Sequence, residues 1–255
     1  SLLVGTSGTG TLSSADGNTG VGTSVLAALT SGDNNVAVGM CSLLSNTTGS
    51  LNVGAGKNAL CDNTTGGSNT ALGSNALRNN ETASNNTGVG NTALFTNTTG
   101  ASNTAIGDTA LYANTTGANN TAVGKSSMGS NTTGSDNTAT GVESLVSATT
   151  AASNAAFGRQ AMCKTTTGTN NTAMGAFALC ANTTGAVNTS IGKDSLKTNT
   201  TGGSNTGLGH AALFSNTTAS DNTSVGRESM YTNTTGHSNV AVGHDAGYSN
   251  TTGIR

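Results

Sequence analysis

The stretch "NTTGASNTAIGDTALYA" at residues 97–113 is followed at 114–130 by "NTTGANNTAVGKSSMGS", a near copy of the same length. From this pair the phrase extends in both directions. NTT triplets begin at Asn46, Asn63, Asn97, Asn114, Asn131, Asn182, Asn199, Asn216, Asn233 and Asn250, and degenerate copies begin at Asn80, Ala148 and Thr165. The glycine at the eleventh position recurs without a slip from Gly5 and Gly22 to Gly226 and Gly243. Fifteen copies of seventeen residues fill all 255 positions with no insertion. A fixed period of this kind marks a repeat architecture, so residues 1–255 read as a single repeat domain.

Composition narrows the class. Only 8% of residues are charged and 3% aromatic, Trp and Pro are absent, and the net charge is −2. Disordered chains combine low hydrophobicity with high net charge and loose spacing, which this chain does not. It has no basic footprint for nucleic acid and no apolar run approaching a membrane span. The sequence begins at Ser1 rather than Met, which reads as a processed product or a portion of a longer chain.

The repeat is N-T-T-G-x-x-N-T-A-V-G-x-x-A-L-x-x. Seventeen residues are too few for the common helix-pair repeats, and Thr- and Asn-rich segments with period-2 alternation favour strands. Each copy reads as about two short strands and two tight turns, too little to form a core alone. Stacked rungs, about 4.8 Å apart, make a continuous one. The expectation is an all-β parallel β-solenoid of 15 rungs.

Two inward apolar columns are expected. One is the tenth position, with Val38, Leu72, Ile106, Val123, Ile191 and Val225; the other is the fifteenth, with Leu60, Leu77, Leu111, Leu179 and Leu213. The small ninth position (Ala37, Ala71, Ala105, Ala122, Ala173) faces the other way and permits close approach of a second subunit or of the opposite wall. The seventh position is Asn in every copy except Ser1, which suits a ladder of stacked amides.

The blocks "SNNTGVGNTAL" (84–94), "ANNTAVGKSSM" (118–128) and "SNTAIGDTAL" (102–111) resemble the head repeats of YadA-type trimeric autotransporter adhesins. They are also similar to the NTAVGxxAL…NTTG repeats of phage tail fibres and bacterial surface proteins. The resemblance implies a left-handed parallel β-roll, often trimeric, on an extracellular fibre or adhesin at a cell surface or on a virion.

Several residues are candidate sites. Asn46, Asn63, Asn80, Asn97, Asn114, Asn131, Asn182, Asn199, Asn216, Asn233 and Asn250 all lie in N-x-T acceptor patterns. The pattern reads either as a row of glycosylated turns or as the by-product of a turn that needs Asn and Thr. Cys163 and Cys180 occupy the sixteenth position of successive rungs, within disulfide reach; the alternative is two reduced, buried thiols. Phe95–Tyr112 and Phe214–Tyr231–Tyr248 share that column, as a sugar-binding strip or as a packing stripe. The pairs Lys193–Asp194, Arg227–Glu228 and His244–Asp245 read as a solvated face. His210 and His244 share a column two rungs apart, too few ligands for a metal. No catalytic constellation is present, and no cofactor is expected.

At the ends, Leu2, Leu3 and Val4 make an apolar first rung, and Ile254 and Arg255 finish in phase with it. Head-to-tail stacking into a filament would follow. A longer repeat array would produce the same phase. The functional expectation is a non-enzymatic extracellular fibre or adhesive spike that associates with itself, as filament or trimer, and with host-surface glycans. It involves neither nucleic acid nor membrane insertion. The alternative is a module whose Thr and Asn arrays bind polysaccharide or ice.

Overall fold

A computed structural model describes residues 2–4 and 14–254. The chain divides into two compact units, residues 1–133 and 134–255, and each is a parallel β-solenoid. In unit 1 every rung contributes one three-residue strand, from Leu2–Val4 through Thr104–Ile106 to Thr121–Val123. In unit 2 the strands run from Thr138–Thr140 through Thr172–Met174 to Val240–Val242. Neighbours pair in parallel with identical repeat positions in register: Thr104 opposite Thr121, Ala105 opposite Ala122, Ile106 opposite Val123. Unit 2 repeats this with Thr172 opposite Thr189 and Met174 opposite Ile191.

The second strand expected in each rung is replaced by a turn. After the strand, Gly107 takes φ 137°, Thr109 φ 55° and Leu111 φ 52°, and the rungs from Gly22 to Gly243 show a similar series. Bonds from Ala110 N to Gly107 O (3.3 Å) and from Asn114 N to Leu111 O (3.3 Å) close the turn. Rung-to-rung bonds such as Leu111 N to Ser127 O (2.9 Å) stack it. The left-handed region is strained for a side chain, most of all a β-branched one. That accounts for Leu and Met at the fifteenth position, while Val and Ile sit at the tenth, on the strand. Gly107 has a further constraint: a Cβ there would lie 2.7 Å from the backbone of Gly124.

The core differs from the expectation in one of its two columns. Leu60, Leu77, Leu111, Leu179 and Leu213 are wholly buried, as expected. The tenth position is not inside: Val38 is 42%, Leu72 40% and Ile106 41% exposed, and Val123, Ile191 and Val225 are half-buried. The ninth position takes the inward place, with Ala37, Ala71, Ala105, Ala122 and Ala173 wholly buried. The reason is width. A Cβ on Gly88 would lie 3.2 Å from Leu77 Cγ, and one on Gly207 would lie 3.3 Å from Leu196 Cγ. The large fifteenth side chain fills the space that the small ninth position leaves, and the opposite wall is this same chain. A period-2 strand then turns the eighth and tenth positions outward together.

Candidate functional surfaces

Two amide ladders line the interior. At the seventh position, Asn35 N and Nδ2 both donate to Asn18 Oδ1 (2.8 and 3.0 Å), and Nδ2 also donates to Gly49 O (2.9 Å). Unit 2 repeats the set: Asn205 N and Nδ2 donate to Asn188 Oδ1 (3.0 and 3.1 Å), and Nδ2 to Ala219 O (2.8 Å). Burying an amide is costly unless its polar atoms are satisfied, and identical neighbours supply the partners.

The second ladder overturns the row of glycosylation turns. Asn46, Asn63, Asn80, Asn97, Asn114, Asn131, Asn182, Asn199, Asn216 and Asn233 are wholly buried, and Asn250 is half-buried. Asn97 Nδ2 donates both hydrogens, to Asn80 Oδ1 (2.9 Å) and to Gly100 O (2.9 Å). A glycan on Nδ2 would displace one bond and need space the interior lacks. The triplet is conserved along the chain because its Asn points in. Its first Thr bonds the next rung, as Thr98 Oγ1 does with Thr115 O (3.0 Å), and its second, such as Thr99, faces solvent.

The sixteenth position carries three of the four cysteines and five of the seven aromatic rings. A disulfide joins Cys163 to Cys180, with Cα atoms 4.9 Å apart. Cys61 is buried, and that burial, followed by the neighbouring Asp62, pushes its thiol up to about 11, which leaves it unreactive at neutral pH. Phe95 stacks on Tyr112 (centroids 5.4 Å, planes 7° apart), and Phe214, Tyr231 and Tyr248 stack at 5.0 and 5.2 Å. Arg78 lies over Phe95 at 5.7 Å and Lys197 over Phe214 at 5.6 Å. Phe95 and Phe214 each lie between a ring and a cation, and Tyr231 between two rings, which favours the packing stripe, because a sugar would need a free face.

The sheet's outer face is the broadest regular surface of each unit. It combines the eighth position, mostly Thr, with the aliphatic tenth, and carries no charged residue in any rung. The ion pairs among the described residues lie in unit 2, formed by the twelfth and thirteenth positions with Lys197 of the sixteenth. Among the described residues no three His, Cys, Asp or Glu side chains converge, and no helix is long and apolar enough to cross a membrane. At the ends, Leu2 pairs opposite Thr19 and, like Ile254, is exposed. The side chains of Leu3 and Val4, and all of Arg255, lie outside the described residues. No family model matches the chain, and no curated protein or solved structure matches it either.

Proposed function

We propose that this chain is a non-enzymatic structural fibre or adhesive spike protein that works outside the cell and associates with copies of itself through the outer sheet face. The observation that carries the reading is the exposed tenth column, with Val21, Val38, Leu72 and Ile106 in unit 1 and Phe157, Met174 and Leu208 in unit 2. A charge-free apolar strip repeated on successive rungs is what an interface between copies needs and what an isolated soluble chain avoids. The interior supports a scaffold role: its asparagines are spent on ladders between rungs. Sedimentation velocity over a concentration series, with negative-stain imaging, tests this. A discrete oligomer or filament at micromolar concentration supports it; a monomer throughout the series contradicts it.

The same face supports a second reading. Thr70, Thr87, Thr104 and Thr121 stand on four successive strands in unit 1, and Thr172, Thr189, Thr206 and Thr223 do so in unit 2. Each is half-exposed beside the aliphatic column. A regular array of hydroxyl and methyl groups suits an ordered surface such as ice or polysaccharide. Thermal hysteresis from a monomeric sample would promote it over self-association.

A further inference from the structure

In unit 2 the twelfth position becomes basic on four successive rungs: Lys193, His210, Arg227 and His244. These side chains are 49–62% exposed. Unit 1 has no such run, and all three histidines of the chain belong to unit 2. The carboxylates of the thirteenth position are less exposed than their partners, strongly so for Asp194 and Glu228 and modestly for Asp245 (46% against 60% for His244). Asp194 is 13% exposed and held by Lys197 (2.8 Å) and Lys193 (3.5 Å). Glu228 is 22% exposed, held by Arg227 (2.9 Å) with His210 at 4.0 Å, and Asp245 sits 3.2 Å from His244. An approaching molecule therefore meets nitrogen before oxygen.

We propose that the Lys193–His210–Arg227–His244 column binds a linear acidic polysaccharide lying along the solenoid, and that it does so in mildly acidic conditions. Parallel in-register stacking spaces the four bases at one rung each, about 4.8 Å, so an extended polyanion meets a straight row of cations. The charged groups facing this row are Lys193, Lys197, Arg227, Asp194, Glu228 and Asp245, three of each sign. With neutral imidazoles the row is balanced. Protonation of His210 and His244 leaves two positive charges in excess, and histidine is the side chain that changes charge between about pH 5 and 8. Nucleic acid fits less well, because Phe214 and Tyr231 are covered on both faces by neighbouring rings or Lys197 and offer no row of stacking platforms. A membrane fits less well, because on these rungs the twelfth and thirteenth positions carry no large apolar side chain.

The inference deepens the adhesive side of the proposed function, yet it is read by ligand binding and not by assembly, so the two can fail separately. The probe is a heparin oligosaccharide, whose sulfates stay ionised throughout, measured by calorimetry at pH 5.5 and 7.5 on the full chain. Binding at pH 5.5 that weakens about tenfold or more by pH 7.5 is expected from the two added charges. The His210→Gln/His244→Gln variant should bind weakly at both values, and Lys193→Ala/Arg227→Ala should bind at neither. These residues are exposed, and unchanged circular dichroism melts would confirm that both variants fold. The proposal is overturned by no binding at pH 5.5, by equal binding at both values, by a pH response that survives the His variant, or by equal affinity for single-stranded DNA of matched charge.

Discussion

The two units have the same strand, the same turn and the same seventh-position ladder, but they differ in the ladder at the first position. In unit 1 it runs unbroken from Asn46 to Asn131, each Nδ2 donating to the Oδ1 one rung before, as Asn114 does to Asn97 (2.7 Å). In unit 2 the column opens with Ala148 and Thr165, and amides resume at Asn182. Thr165 Oγ1 is buried with no hydrogen-bond partner. The two rungs of unit 2 without the amide, 148–164 and 165–181, are the two that Cys163 and Cys180 tie together. A stacked amide and a disulfide thus perform one task, holding a rung against its neighbour. In unit 2 the gap in the first coincides with the second, whereas in unit 1 the amide is replaced at Leu29 by a buried apolar side chain.

Breaking the intact ladder should have the largest effect. Asn114→Leu strips partners from Asn97 Oδ1 and Gly117 O and removes an acceptor from Asn131 Nδ2. Orphaned buried groups of this kind should cost about 4 kcal/mol together, read as a shift in the urea unfolding midpoint. Removing the staple with Cys163→Ser/Cys180→Ser should cost about 3 kcal/mol, the value for a loop of this size. Adding Thr165→Asn to that double variant should recover about 1 kcal/mol, because Asn182 Nδ2 lies one rung away and Gly168 O lies within the rung. A staple-free protein with unchanged stability, or one that Thr165→Asn fails to help, would separate the disulfide from the gap in the ladder.

The smallest effect concerns the ion pairs, which among the described residues belong to unit 2. Burial works against the Asp194 carboxylate, but the hydrogen bond and charge of Lys197, then Lys193, outweigh it and hold its pKa below the usual carboxylate value. A depressed carboxylate stabilises the fold above its unfolded pKa and loses that contribution as pH falls through the folded one. Acid titration below about pH 4 should loosen rungs 182–215 in hydrogen exchange before those of unit 1, and Asp194→Asn should flatten the difference.

The solenoid class, the period and two stacked columns were legible from the seventeen-residue spacing, because identical residues at identical heights can only be stacked. The Leu60–Leu111 column follows from that and its apolar character, and the Asn18–Asn120 column was legible as a ladder but not as an inward one. The face of the tenth position was not legible. A three-residue strand contains a single alternation, so an aliphatic Ile106 and a small Ala105 do not reveal which of them is inside. The deciding fact is the left-handed backbone at Thr109 and Leu111, which lays Leu111 across the interior and leaves room only for Ala opposite. No local propensity announces that conformation for Thr or Leu. The same blindness made the NTT asparagines look like surface acceptors.

The orientation of the strand carries both the fold and the proposed interface, and one paired measurement tests it. Ala105→Lys and Ile106→Lys place the same charge on adjacent residues of one strand. The account has the first facing Leu94 and Leu111 in a dry interior and the second facing outward. Thermal melts and sedimentation velocity of the two variants should therefore diverge. Ala105→Lys should lose cooperative unfolding, while Ile106→Lys should melt close to wild type and sediment as a smaller species. A folded Ala105→Lys with an unfolded Ile106→Lys would reverse the strand and contradict the account at its centre.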